Sequence, residues 1–352
     1  MPSFNLPSGI VFSYTDSGIP TSNKTNYVTL VLIHGIMFNN GTFQSLAALG
    51  PSNGVRVIAP NRREYDGFTP HPDELDLLMN GSEAEKEAFI EDMGRDLALL
   101  IAGLGESLSL PGGVAVAGWS LGSLAIIAIV ASMESLPEGA RRTLSSSVRS
   151  VILYREFHFP RSDKADSLQS RPPSSLVFQT RKGCTCPRPI PKCLEPRWDR
   201  SLPVGRRASS CTATSRPLDL RNLSYSRTDP NRPPTIETIP MDGIIDLTAG
   251  AKADAMLVSP SFAAATAKLA GKALFDTHVR GQLWKDSKFY LVTGSTDGWN
   301  SIYAGWKIEE RMLAEAKPEC EITFELVDGA NHFFVMEEPQ RALDCFKQWF
   351  GN

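Results

Sequence analysis

The stretch Val114-Ala-Val-Ala-Gly-Trp-Ser-Leu-Gly-Ser-Leu-Ala-Ile-Ile-Ala-Ile-Val130 decides how the chain is read. Val114 to Ala117 is a short apolar run that suits a strand buried on both faces. The segment from Ser123 onward is long enough for a helix and almost wholly apolar. Between them stands Gly118-Trp119-Ser120-Leu121-Gly122. Gly-x-Ser-x-Gly between strand and helix is the nucleophile elbow, which holds its serine on a strained corner with the hydroxyl exposed beyond the strand. Gly118 and Gly122 leave room for the close backbone approach of such a corner. The amide of Leu121, at the helix start, then faces the place where an oxyanion would develop.

Working outward, the pattern on either side alternates strand and helix. Ile10 to Tyr14, Val28 to Ile33 and Val55 to Ala59 have strand composition, and Asp16-Ser17-Gly18 is a turn. Asn39 to Thr42 leads into a short helical pattern through Leu49. Ser82 and Glu85 form a Ser-x-x-Glu capping box. Phe89, Met93, Leu97, Leu100, Ile101 and Leu104 then recur at helical spacing, and Gly105 is placed as a helix stop. Val148 to Tyr154 is the strand after the elbow helix. Further on come helices at about Ile244 to Leu257 and Phe262 to Phe275, and a strand at Phe289 to Thr293. A helix at about Ser301 to Lys317, a strand at Ile322 to Val327 and a terminal helix with Pro339 in its first turn complete the chain. This alternation predicts an α/β architecture, a parallel sheet covered on both faces.

Composition sets the outer limits. The 352 residues, 42% hydrophobic and 21% charged, fit one large domain or two small ones. A net charge of −3 gives no reason to expect nucleic acid or an anionic membrane as partner. No apolar run reaches the roughly 20 residues of a membrane span. Met1 to Tyr14 lacks the basic start and apolar core of a signal peptide, so a cytoplasmic location is expected. Six cysteines in this length are no disulfide framework, and Cys320 and Cys345 read as core thiols.

Three residues carry chemistry together. Ser120, Asp297 and His332 each lie just beyond the carboxyl end of an expected strand, the edge where open parallel sheets bind ligands. Serine is a poor nucleophile at its free pKa and needs an imidazole to take its proton. The imidazole needs a carboxylate to fix its tautomer and stabilise its charged form. Glu156, just past Tyr154, is the alternative acid. His34, His71, His158 and His278 are the other histidines. Trp119, Trp299, Phe333 and Phe334 suit either an apolar acyl pocket or core packing. Gly103-x-Gly105 follows a helix rather than a strand and is no phosphate loop.

With these motifs in place the chain resembles the α/β-hydrolases of the broad esterase and lipase-like superfamily. The matching stretches are His34-Gly35, Asn61-Arg-Arg-Glu-Tyr-Asp-Gly67, the elbow at 118–122, Gly294-Ser-Thr-Asp297, and His332-Phe with Glu338-Pro339 beyond it. The resemblance covers about Ile10 to Tyr154 and Met241 to Phe350. It implies the α/β-hydrolase fold, a mostly parallel central sheet flanked by helices, with a cap or insertion after Tyr154. It implies Ser120 as nucleophile, His332 as general base, Asp297 as orienting acid, and the amides of Ile36 and Leu121 as oxyanion donors. His34 has a structural role in such loops. Relatives that open epoxides or haloalkanes place aspartate where this chain has Ser120. The implied activity is cleavage of a small apolar ester or related acyl substrate, with no metal or organic cofactor. Acyl transfer, thioester, lactone and carbon–carbon chemistry use the same triad, and a non-catalytic binding or scaffold protein is the reading from another class.

The middle of the chain breaks the pattern. Arg155 to Pro217 holds thirteen Lys and Arg against five Asp and Glu, with nine prolines and four of the six cysteines. Residues 1–154 and 241–352 are therefore expected to form one split core domain, with 155–240 inserted at the cap position. Of this insertion, 155–217 reads as a disordered basic stretch or an aberrant one, such as translation through an intron or a shifted frame would produce. The spacing of Cys184, Cys186, Cys193 and Cys211 matches no common zinc site, and the stretch nearly lacks the aromatic residues of a nucleic-acid arm.

Overall fold

The computed structural model describes residues 1–21, 24–62, 65, 74–108, 110–154, 235–248 and 257–350. Within them Val28–Ile33 (β3), Val55–Pro60 (β4), Val114–Trp119 (β5), Val148–Tyr154 (β6), Lys288–Gly294 (β7) and Thr323–Val327 (β8) run parallel. Ser3–Asn5 (β1) and Val11–Asp16 (β2) join antiparallel at one edge. The sheet order is β1-β2-β4-β3-β5-β6-β7-β8, so the elbow strand is interior and β6 lies between β5 and β7.

Alternation along the strands divides the core in two. Val114 and Val116 face one side with Val31, Ile33, Val151 and Leu153. Ala115, Ala117 and Trp119 face the other with Leu30, Leu32, Ile152 and Tyr154. Because helices cover both faces, these strands read as unbroken apolar runs. The first face carries Glu83–Leu108 (α3), Gly122–Ala131 (α4), Glu138–Ser147 (α5) and Ala263–Phe275 (α7). The second carries Gln44–Leu49 (α1) and Pro339–Trp349 (α10). Glu74–Asn80 (α2), Met241–Thr248 (α6), Trp299–Glu315 (α8) and Phe334–Glu337 (α9) complete the helices used below.

Helix α4 is buried on every side, held between α3, α7 and the sheet. Leu124, Ile126, Ile127, Ile129 and Val130 are all buried, at about 2 kcal/mol each from area removed from water. The stabilisation anchors the elbow from its helical side.

Several boundaries differ from the sequence reading. Helix α3 runs through Gly105 to Leu108, because Leu108 still packs on the core and extends the apolar face by a turn. The predicted helix at 244–257 starts earlier, at Met241, and is described to Thr248. The capping box is formed: the Ser82 amide donates to Glu85 Oε2 at 2.8 Å and the Glu85 amide to Ser82 Oγ at 3.3 Å. Among the described residues no helix is long and apolar enough to cross a membrane. The basic stretch 155–217, with His158, Glu156 and its four cysteines, lies outside the described residues, as does His71.

Candidate active site

Ser120 has φ of 55°, the left-handed region that L-residues enter at a cost of roughly 1–2 kcal/mol. Its surroundings over-determine that backbone. The Ser120 amide donates to the Tyr154 carbonyl on β6 at 3.0 Å, and the Ser120 carbonyl accepts from the Ser123 amide at 2.9 Å. Ser123 Oγ donates back to the Gly118 carbonyl at 2.8 Å. A Cβ on Gly118 would stand 2.2 Å from the Gly122 carbonyl oxygen, and one on Gly122 would stand 2.2 Å from that of Ile33. Both positions therefore require glycine, for approach rather than for φ.

The turn after β3 abuts the elbow. A Cβ on Gly35 would lie 3.0 Å from Ser120 Cβ and 2.9 Å from two indole carbons of Trp119. Ile36 follows at once, half-buried against the core, and Met37 beyond it takes φ of 61°. Leu121 is the cap residue of α4, where the first amides of a helix have no partner within it.

His34 underlies this turn. Its Nδ1 lies 3.1 Å from the Gly35 carbonyl, and its Nε2 accepts the Arg62 amide at 2.9 Å. The Arg62 guanidinium donates to the His34 carbonyl at 2.9 Å and the Gly35 carbonyl at 2.8 Å. Complete burial, and next the Arg62 charge, hold the His34 imidazole well below its usual pKa, so it is neutral. Arg62 sits within a stretch matched from sequence, yet its role as a buried clamp carried no sequence signal beyond an arginine following an apolar strand.

On the other side, the loops after β7 and β8 are stapled together. The Thr296 amide donates to the Ala330 carbonyl at 3.1 Å, Ser295 to Val327 at 2.9 Å, and the Gly329 amide to Ser295 Oγ at 2.7 Å. This brings Asp297 and His332 together at 3.3 Å, Oδ1 to Nδ1. The Gly298 amide also donates to Asp297 Oδ1, at 2.8 Å. The Asp297 side chain has no solvent exposure, and that of His332 has 10%. His332 Nε2 lies 3.1 Å from Ser120 Oγ. With the proton on Nδ1, the ring donates to Asp297 and leaves Nε2 to accept the serine hydroxyl.

Sequence reasoning thus named three residues that the fold brings to one point. His278 lies on the surface 3.5 Å from Glu134, remote from this group. Trp119, Phe333 and Phe334 are buried in the second core, and the side chain of Trp299 lies outside the described ones. The Trp119 indole N–H, which the sequence left without a role, donates to the His332 backbone carbonyl at 2.7 Å. Among the described residues no group of three or more His, Cys, Asp or Glu could hold a metal ion.

Solved structures to which the chain is similar include a carboxylesterase of the thaumarchaeon Nitrososphaera gargenis, 18% identical over 99% of this chain and 97% of that one, TM-score 0.49. A thermophilic esterase from Thermogutta terrifontis is 18% identical over 99% and 95%, TM-score 0.48. The epoxide hydrolase VrEH1 from Vigna radiata is 14% identical over 99% and 96%, TM-score 0.52. At such identity a likeness speaks to fold alone. No curated protein matches the chain. The sequence profile of the Alpha/beta hydrolase family matches residues 30–344. With that match across the sheet from β3 to β8, the chain belongs to the alpha/beta hydrolase family.

Proposed function

We propose that the protein is a serine hydrolase that cleaves a carboxylic ester or related acyl substrate through an acyl-enzyme. The observation that carries this reading is the hydrogen-bonded line Ser120 Oγ, His332 Nε2, His332 Nδ1, Asp297 Oδ1, with spacings of 3.1 and 3.3 Å across the ring. In the first step Ser120 Oγ attacks the acyl carbon while His332 Nε2 takes the hydroxyl proton. The negative charge that develops on the carbonyl oxygen is met by the amides of Leu121 and Ile36. Collapse of the tetrahedral intermediate breaks the ester bond, and the imidazolium returns its proton to the departing alkoxide. A water molecule then gives a proton to His332, attacks the acyl-serine, and the acid leaves as Ser120 recovers its proton. Asp297, desolvated and fixed by the Gly298 amide, stabilises the imidazolium at each stage.

The core is one split domain, residues 1–154 and 241–352, in this reading. The test is labelling with a fluorophosphonate probe, with the adduct located by mass, alongside turnover of short p-nitrophenyl esters. Modification at Ser120, and loss of about 10⁶ in kcat for Ser120→Ala with the fold retained, are the expected results. Well-folded protein that takes up no probe and turns over no ester supports a binding or scaffold role instead.

A further inference from the structure

Trp119 is 2% exposed and sits in an apolar cluster, with its ring centre 5.6 Å from that of Phe38, 5.7 Å from Phe333 and 6.5 Å from Phe43. An indole satisfied by some nearby carbonyl is ordinary in such a place. What is particular is the carbonyl chosen. The N–H donates at 2.7 Å to the backbone oxygen of His332, and the indole centre lies 5.4 Å from the imidazole. His332 stands in a turn between β8 and α9, outside any regular ladder. The benzo ring of the indole fills the space that a Cβ on Gly35 would need. From the elbow at the end of β5, one side chain thus touches both the turn after β3 and the histidine turn after β8.

We propose that Trp119 is a positioning residue: its indole N–H, by holding the His332 carbonyl, sets where the imidazole stands over Ser120. The inference rests on the serine hydrolase reading. If it holds, loss of the N–H alone displaces the base from the nucleophile while the packing stays. Misplacement by a fraction of an ångström to an ångström costs on the order of 10- to 100-fold in rate.

The cleanest variant replaces Trp119 by 3-benzothienylalanine, whose sulfur takes the place of the N–H in a ring of the same shape. Its second-order labelling rate with a fluorophosphonate and its kcat on p-nitrophenyl acetate should fall by about 10- to 100-fold, with KM and thermal midpoint close to wild type. Trp119→His and Trp119→Phe add a rank test. The imidazole Nε2 can stand where the indole Nε1 stands, because the two five-membered rings superpose, whereas phenylalanine keeps more bulk and no donor. Positioning predicts that histidine is the more active per folded molecule; packing predicts phenylalanine. A benzothienyl variant labelled at the wild-type rate overturns the inference, as does a phenylalanine variant that equals or exceeds histidine. Wild-type protein that takes no probe at Ser120 refutes the hydrolase reading instead, so the two failures are told apart.

Discussion

Replacing Gly122 by alanine tests the geometry of the elbow directly. The new Cβ would lie 2.2 Å from the Ile33 carbonyl oxygen, 2.9 Å from its carbon and 3.0 Å from the His34 carbonyl oxygen. Ordinary contact begins at 3.4 Å, so the start of α4 must retreat from β3 by about 1.2 Å. The obstacle is backbone, which has no rotamer to yield, so the cost belongs at the upper end of the roughly 1–3 kcal/mol for overpacking. Alanine recovers at most about 1 kcal/mol of helix propensity. The net expectation is a loss of about 2 kcal/mol. With a urea m-value of about 2–3 kcal/mol per molar, the midpoint should fall by roughly 1 M at unchanged slope. The same retreat moves Ser120 relative to the turn holding Ile36, so the fluorophosphonate labelling rate should drop by about 10²-fold. Gly139→Ala in α5 is the control: a Cβ there meets nothing within 4 Å, and stability should rise by about 0.5–1 kcal/mol. If Gly122→Ala matches wild type in both midpoint and labelling, the contact between elbow and β3 is not as close as the argument requires.

Asp297→Asn should lose about 10⁴ in kcat with little change in fold, because an amide neither stabilises the imidazolium nor reliably selects its tautomer; steady-state rates on a p-nitrophenyl ester decide it. His34 is neutral in the fold, its pKa depressed by burial, so below the ordinary value of 6.5 the unfolded chain binds a proton that the native one does not. Stability should therefore decline as pH falls below 6.5, by up to about 1.4 kcal/mol per pH unit from this group, and His34→Gln should remove that part of the slope in urea titrations. Burial pushes the Asp16 carboxyl up, but the Arg56 guanidinium, donating at 2.9 Å, and the Gly18 amide outweigh it and hold it below the usual 3.8. Its contribution is present above that value and lost as pH falls below it. Allowing for the solvent on its exposed side, Asp16→Asn should cost about 1–2 kcal/mol at pH 7, and the gap to wild type should close below about pH 4.

The strands were legible because parallel strands covered on both faces admit almost no polar residue, as Val114 to Ala117 and Val28 to Ile33 illustrate. Helix α5 was not, since Leu144 is its one buried residue and no periodic face appears in Glu-Gly-Ala-Arg-Arg-Thr-Leu. Strand β1 has three residues at a sheet edge, too few for any alternation to register. The Gly105 stop failed because propensity is a weak local preference that the packing of Leu108 overrides. In the site, the sequence showed residues whose chemistry is tied to a motif and its strand: Ser120, Asp297 and His332. It concealed Arg62 and the indole N–H of Trp119, whose roles depend on which backbone carbonyl they meet, and that is a property of tertiary approach.

Along the chain, His332 and Asp297 are 35 residues apart, while His332 and Ser120 are separated by 212. Asp297 and His332, the proposed acid and base, are thus a product of the β7–β8 end of the sheet, and the elbow is a product of β3, β5 and β6. Within the sheet the two are joined by the parallel seam of β6 and β7, with Ser150 opposite Lys288 and Tyr154 opposite Val292. Contacts of such high order form late, since the loop must close before the pairing can reward it. In the mechanism proposed above a nucleophile without its base is inert, so during refolding Ser120 should gain reactivity only when that seam zips. The labelling reaction is then a clock for one topological event, and it should start after the helices have already formed.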